Sequence, residues 1–335
     1  MNHSRLSVAI AQAGGIPANS RIALFRPPLD SDLSSFEGAS VVVITGYFPD
    51  QQAFAARGLA VATCAEGAFD TAVVFMPRAK ALARALVAQA VTAVRPDGMI
   101  WIDGQKTDGI ETLLKDLRGR VTITDTLAKA HGKVFGFVPG IGAEFSDWAM
   151  RDHHPVAGFI TRPGVFSADG IDPGSALLAA HLPDDLAGKG ADLGAGWGWL
   201  AAEVLRRPGV KELHLVEAEA EALTCAKVNV QDGRAQFHWA DATQFHPGKA
   251  LDFVVTNPPF HQGRAADPAL GAAFLRSAAA MLQPGGQLWL VANRSLPYEE
   301  VLRGLFMNIS TVALSGGFKV LMAARPLRDR SAKRR

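Results

Sequence analysis

Short apolar runs alternate with amphipathic stretches along most of this chain, which predicts parallel strands joined by helices. In the first half Val41-Val42-Val43-Ile44, Ala72-Val73-Val74-Phe75, Met99-Ile100-Trp101-Ile102 and Val121-Thr122-Ile123 read as strands. Residues 78–94 and 108–118 read as helices. The second half is more regular. Strands are expected near 189–193, 211–217, 235–239, 251–256, 286–292, 309–314 and 318–323, with helices near 173–181, 198–206, 219–229, 268–282 and 298–306. Five strand–helix units followed by two consecutive strands predict a seven-stranded sheet that ends in an antiparallel hairpin. Residues 139–164, rich in Gly, Pro and His, read as a linker.

The halves share a weak repeat. Asp70 to Pro77 leads through a helix to Pro96-Asp97-Gly98-Met99-Ile100-Trp101, and Asp252 to Pro258 leads likewise to Pro284-Gly285-Gly286-Gln287-Leu288-Trp289. Aligned on the proline, Met76 stands in the first copy where Asn257 stands in the second. Two copies of one α/β fold are expected: residues 1–155 including the linker, residues 156–324, and a tail 325–335.

Composition narrows the classes. Of 335 residues, 48% are hydrophobic and 20% charged, an ordinary globular balance that excludes a largely disordered chain. Two cysteines, Cys64 and Cys225, exclude a disulfide framework and a four-cysteine zinc site, and a reduced cytoplasmic setting is the expectation. The adjacent His153 and His154 have no spaced partners for a metal, and none is expected. No signal peptide and no membrane span are expected. The net charge of +2 is uneven: 0 over residues 1–155, −3 over 156–324 and +5 over the tail. Binding to nucleic acid would therefore need a local patch or the tail.

Asp192-Leu193-Gly194-Ala195-Gly196-Trp197-Gly198 follows an apolar strand and opens a helix. Glycines allow a tight turn and close approach of a ligand to the backbone. The G-x-G-x-G spacing departs from the dinucleotide fingerprint, and Asp192 would repel a phosphate but receive an ammonium group. The next strand ends in Glu217, 25 residues on, where a carboxylate can accept from both ribose hydroxyls. The third strand is followed by Asp241-Ala242, where an acid can accept from an adenine amino group. Each acid alone could equally be a turn residue or a helix cap.

Asn257-Pro258-Pro259-Phe260 follows the strand that ends at Thr256. The prolines stop the strand and fix the backbone. The Asn257 side-chain oxygen and the Pro258 carbonyl can then accept from a planar amino group and favour lone-pair character on its nitrogen. Phe260 offers a face for a flipped base.

On these residues the second half resembles class I S-adenosylmethionine-dependent methyltransferases. More narrowly it resembles the bacterial 16S ribosomal RNA guanine-N2 methyltransferases of the small-subunit methyltransferase C type. The resemblance also rests on Pro163-Gly164-Val165-Phe166-Ser167, Asp169-Gly170-Ile171-Asp172, Gly174-Ser175, His261-Gln262-Gly263, Val291-Ala292-Asn293, Leu296-Pro297-Tyr298 and Phe318-Lys319-Val320. It implies two tandem Rossmann-like domains, the N-terminal one degenerate and serving RNA binding or structural support. Gly194, Gly196 and Gly198 would pass close to S-adenosylmethionine, Asp192 would lie at its methionine end, Glu217 would take the ribose, and Asp241 with Ala242 the adenine. Asn257, Pro258, Pro259 and Phe260 would hold the guanine amino group, with Phe166 and Ser175 bordering the cleft. His261, Arg78 and Lys80 are candidates for RNA contact. The implied target is the guanine at nucleotide 1207 of 16S rRNA, free or in the 30S subunit, modified by a monomer. The motif alone leaves adenine-N6 and protein glutamine-N5 methylation open, and a non-catalytic RNA-binding or folding factor is the alternative from another class.

Overall fold

The computed structural model describes residues 4–259, 261–262, 265–266 and 268–328. They form two compact units, Met1–Arg151 and Asp152–Arg335.

The first unit runs α1 (Arg5–Gln12), β1 (Arg21–Phe25), β2 (Ser40–Ile44), α2 (Phe48–Ala56), β3 (Ala60–Ala62), β4 (Phe69–Phe75), α3 (Lys80–Ala93), β5 (Val94–Gln105), α4 (Ile110–Arg118), β6 (Ile123–Lys129) and β7 (Gly132–Phe137). Its sheet has the order β3-β2-β1-β4-β5-β7-β6. The second unit runs β8 (His153–Val156), β9 (Phe159–Thr161), α5 (Pro173–His181), β10 (Gly188–Leu193), α6 (Trp199–Leu205), β11 (Val210–Glu217), α7 (Ala220–Asn229), β12 (Ala235–Trp239), β13 (Leu251–Thr256), β14 (His261–Gln262), β15 (Ala265–Ala266), α8 (Pro268–Met281), β16 (Leu282–Asn293), α9 (Tyr298–Arg303), β17 (Phe306–Ser315) and β18 (Phe318–Pro326). Its main sheet has the order β12-β11-β10-β13-β16-β18-β17.

The two orders are the same when strands are matched in sequence. In each, the first five strands are parallel and the last two antiparallel. The terminal hairpin expected in the second half is β17–β18, with β18 inserted beside β16. The inner strands carry apolar runs, such as residues 72–74, 253–255 and 288–292, because both faces are covered. In the second unit one face of the sheet carries Leu178, Leu200 and Ala226 from α5, α6 and α7. The other carries Leu275 and Leu302 from α8 and α9.

Hydrogen bonds at the strand starts confirm the duplication and fix its register. The Asp70 carboxylate accepts from the Arg21 backbone at 2.8 Å, and the Asp252 carboxylate accepts from the Lys189 backbone at 2.7 Å. The other oxygen of each takes a side chain from the equivalent fifth strand, Arg95 on Asp70 and Gln283 on Asp252. Val73 lies opposite Trp101 as Val255 lies opposite Trp289. Counting along these strands places Phe75, not Met76, at the position of Asn257. Strand register, rather than the nearby proline, sets the correspondence.

The first half departs from the sequence reading elsewhere. The expected strand at Val121–Ile123 begins only at Ile123 and continues to Lys129, and β1, β3, β7, α1 and α2 were not anticipated. The stretch read as a linker carries structure: Phe145 and Trp148 are buried in the first core, and the β8–β9 hairpin lies against α7. β18 continues to Pro326, and Arg328 donates to the Leu282 carbonyl, so the start of the basic tail belongs to the fold. Residues 329–335 lie outside the described ones.

Candidate active site

The strand order reverses direction between β10 and β13, and ligands in open α/β sheets bind at the carboxyl ends of strands at such a switch. Leu193 and Thr256 are the last residues of these neighbours. The Thr256 hydroxyl, fully buried, donates to the Leu193 carbonyl at 2.7 Å and locks the two ends together. The glycine loop and the Asn-Pro-Pro segment thus start side by side.

The glycine loop turns at three consecutive alternate positions with positive φ. Gly194 has φ +75°, and its N–H donates to the Val216 carbonyl at 2.9 Å. Nothing lies within 4 Å of where a Cβ would stand on Gly196, so backbone and open cleft meet there. Gly198, φ +87°, opens α6, and a Cβ on it would come within 2.9 Å of Val230 and 3.2 Å of Ala226. The third glycine therefore serves close helix packing. Asn229, which the sequence reading did not single out, ties this loop to β9. Its amide donates to the Ile160 and Trp197 carbonyls at 2.8 and 2.7 Å and accepts from the Ile160 N–H at 2.7 Å.

The three acids at the strand ends have different surroundings. Glu217 is half-buried, and its carboxylate accepts from the Gly196 N–H and the Glu219 N–H, each at 2.8 Å. It braces the glycine loop, and burial pushes its pKa up. Asp192 is 1% exposed, and neither carboxylate oxygen meets a hydrogen-bonding partner among the described residues. Burial, with the nearby Glu217 charge, raises it to about 8. A cationic group brought against this orphaned carboxyl would offset its burial. Asp241 holds its own turn: it accepts from Thr243 N–H at 2.8 Å, Thr243 Oγ1 at 2.7 Å and Gln244 Nε2 at 3.0 Å. Ala242 beside it is buried, with its carbonyl taking the Ser277 hydroxyl.

Asn257 is half-buried, Pro258 buried and Pro259 exposed. The Asn257 Nδ2 donates to Asp172 Oδ2 and to Ser175 Oγ, both at 2.9 Å. With its N–H bonds directed at these oxygens, Oδ1 turns away from them and can accept. Asp172 and Ser175 belong to the start of α5, where Asp172 is the N-cap and its Oδ2 accepts from the Ser175 N–H at 2.7 Å. The Asp-Pro pair there is a helix-start signal. Its reach to Asn257, 85 residues away, is not legible in a linear pattern.

Phe166, Asp172, Ser175, Gly194, Trp197 and Asn257 line one cleft. Phe166 is 55% exposed, its carbonyl held by the Trp197 indole at 3.1 Å, and Ser167 after it adopts a left-handed φ of +51°. The cleft thus gathers the glycine loop, Asn257, Phe166 and Ser175. Glu217 joins it through Gly196, while Asp192 and Asp241 are not on its lining. Phe260 lies outside the described residues. The His261 backbone pairs with Ala266 in the β14–β15 hairpin, and its side chain is not described. Arg78 and Lys80 sit at the start of α3 in the first unit, 3.8 Å from Asp108 and 3.7 Å from Asp116 respectively, both side chains about half exposed. Among the described residues no cluster of His, Cys, Asp or Glu could hold a metal ion, and no helix is long and apolar enough to cross a membrane.

Comparisons with known proteins agree with this layout. Residues 157–322 match the family model described as "Methyltransferase small domain", and residues 22–131 match "Methyltransferase small domain N-terminal". The chain is 28% identical to the ribosomal RNA small subunit methyltransferase C of Hahella chejuensis, over 91% of this chain and 94% of that protein. It is 33% identical to the protein of the same name from Pseudomonas paraeruginosa, over 78% of this chain and 80% of that one. Among solved structures it superimposes on the T. thermophilus 16S rRNA N2 guanine-1207 methyltransferase in complex with AdoMet and guanosine. The TM-score is 0.81 and the identity 26%, with 97% of this chain and 92% of that one covered. A shared two-sheet architecture and this level of identity across most of both chains lead to one conclusion: the chain belongs to the ribosomal RNA small subunit methyltransferase C family.

Proposed function

We propose that the second unit transfers a methyl group from S-adenosylmethionine to the exocyclic N2 of a guanine in 16S ribosomal RNA, at the position equivalent to nucleotide 1207. The observation that carries this reading is the Asn257 amide, oriented at the mouth of the glycine-loop cleft with both N–H bonds engaged by α5. Membership of the family supplies the reaction class and the RNA substrate.

The cofactor supplies a methyl on a sulfonium whose leaving group is a neutral sulfide. The chain's task is therefore placement, because holding two reactants in line removes much of the barrier. Asn257 Oδ1 and the Pro258 carbonyl accept from the guanine amino group and aim its lone pair at the methyl carbon. The N–C bond forms as the C–S bond breaks, its electron pair staying on sulfur, and the nitrogen then releases a proton to solvent. Glu217 accepts from ribose hydroxyls, Asp192 receives the ammonium, and Asp241 with Ala242 borders the adenine. Phe166, exposed beside the cleft, offers a stacking face for a guanine turned out of its helix. Phe260, in the motif, is proposed for the same role.

Every proposed catalytic and cofactor-binding group belongs to the second unit of one chain, and the protein is proposed to act as a monomer. Arg78 and Lys80 at the start of α3 are proposed to meet RNA phosphate. The substrate is 16S rRNA, free or within the 30S subunit, and the proposed setting is the cytoplasm.

Tritiated-methyl transfer tests this reading, with 30S subunits and naked 16S RNA lacking the modification as substrates, followed by nucleoside analysis. N2-methylguanosine at a single position is expected. Methyl-adenosine, or transfer only to DNA or to protein glutamine, would replace it with another amino-group substrate.

A further inference from the structure

We propose that Asp172 is a positioning residue for methyl transfer: its carboxylate decides which end of the Asn257 amide faces the incoming amino group. The inference rests on the reading of Asn257 as the acceptor for that amino group.

An asparagine amide is nearly symmetric in shape, so packing alone does not distinguish its oxygen from its nitrogen. Two groups from α5 face it at 2.9 Å, the Ser175 hydroxyl and Asp172 Oδ2. The hydroxyl can donate or accept and would satisfy either orientation. The Asp172 carboxylate only accepts when ionised. It attracts Nδ2, and a flipped amide would set Oδ1 against it, oxygen to oxygen. Asp172 therefore holds Oδ1 outward, toward the substrate, while Ser175 supports whichever orientation Asp172 selects.

Asp172 is itself fixed. It caps α5, and the same Oδ2 accepts from the Ser175 N–H at 2.7 Å. Pro173 pre-sets the first helical turn. Asn257 is fixed from its own side by Thr256, whose hydroxyl is bonded to β10. Two rigid elements, the start of α5 and the end of β13, thus meet at one amide.

Helix capping and amide orientation make different demands, and this separates a positioning role from a structural one. Serine caps a helix about as well as aspartate does. Asp172 Oδ2 both caps α5 and faces Asn257. Asp172→Ser keeps a capping oxygen but replaces the purely accepting carboxylate by a hydroxyl that suits either amide orientation, so the Asn257 amide is free to invert. The expected result is a kcat lower by about 10-fold. KM for the RNA, cofactor affinity and melting temperature should stay near those of the wild type. Ser175→Ala should cost only a few-fold.

A charge swap gives the positive test. Asn257→Asp alone sets two carboxylates face to face and should abolish most turnover. Adding Asp172→Ser restores a donor–acceptor pair: the hydroxyl accepts from the Ser175 N–H and donates to the new carboxylate at position 257, leaving an accepting oxygen toward the substrate. The double variant should recover at least about 10-fold in kcat over Asn257→Asp alone. If Asn257→Ala lowers turnover while Asp172→Ser does not, or if the double variant is no better than Asn257→Asp, the positioning role is overturned and the reading of the motif stands. If Asn257→Ala keeps full turnover, that reading falls and the positioning role with it.

Discussion

The two units share a strand order, a pair of matching hydrogen-bonded carboxylates and an equivalent tryptophan, but they part company at the strand ends. Arg26 occupies the position of Gly194. Its N–H donates to Ile44 as that of Gly194 donates to Val216, and it keeps a positive φ, +51°. Pro28, after Pro27, stands where Gly196 does, and neither proline has an N–H to bring to a ligand; Asp30 stands for Gly198. Thr45 stands for Glu217, Val74 for Thr256 and Phe75 for Asn257. A cavity of about 190 Å³ still opens over these strand ends, lined by Arg5, Phe75, Met76 and Asp103. Arg5 of α1 crosses into it and pairs with Asp103, whose carboxyl is raised by burial despite that partner. The sheet is a tolerant scaffold, since its core positions need only apolar side chains. The chemistry sits on a few residues beyond the last hydrogen-bonded pair, and those can be lost without losing the fold.

The sharpest way to break this comparison is Asn257→Ala. Turnover should fall by about 100-fold or more, the scale seen when one preorganised polar contact to a transition state is removed. Cofactor affinity should barely change, which calorimetry checks. The reciprocal change, Phe75→Asn, should add no activity, because the glycine loop and the Glu217 equivalent are also missing there.

Glu217→Ala comes next. Hydrogen bonds to a charged acceptor contribute about 1.5–3 kcal/mol, so cofactor affinity should drop roughly 10- to 100-fold with the RNA KM little altered. Unchanged affinity would leave Glu217 as a brace for Gly196 alone.

Arg5→Ala acts on the other half. It strands Asp103, which is 12% exposed, without its cation and should cost about 2 kcal/mol in denaturant unfolding of the first unit. No loss would make the plugged cavity incidental.

A smaller effect concerns pH. The Asp192 carboxyl sits at about 8 in the fold against 3.8 in an unfolded chain. The folded state therefore holds a proton that the unfolded chain has released over that window. The stability contribution is complete below about pH 4 and is lost as pH rises through about 8. Asp192→Asn should flatten the melting temperature of the cofactor-free protein between pH 5 and about 8.5. An ammonium brought against Asp192 would expel this proton, so cofactor binding near neutral pH should release close to one proton, read from calorimetry in buffers of different ionisation enthalpy. The least effect is expected from Arg78→Ala with Lys80→Ala: a few-fold in RNA KM and a shallower salt dependence.

These contrasts also explain what the sequence made legible. In the second unit β13 and β16 carry clear apolar runs, residues 253–255 and 288–292, and the glycine loop and the Asn-Pro-Pro turn follow strand ends, so elements and loops could be placed. In the first, β6 is a partly exposed edge strand, Ile-Thr-Asp-Thr-Leu-Ala-Lys, with no hydrophobic run to mark it. β3, three residues long, is too short to stand out. The glycine loop and the Asn-Pro-Pro segment were visible because their constraints are local. The tie of Asp172 to Asn257 and the role of Asn229 were not, because each works through a partner tens of residues away, 85 for Asp172 and 69 for Asn229. The match of Phe75 with Asn257 needed register, which only pairing partners supply.

The central claim is that one of two like folds kept the cofactor site. The direct test is the stoichiometry of S-adenosylmethionine binding to the full chain by calorimetry. One site per chain, weakened by Glu217→Ala and unaffected by Thr45→Ala, is the predicted result. Two sites, or one that survives Glu217→Ala and is lost with Thr45→Ala, would contradict it.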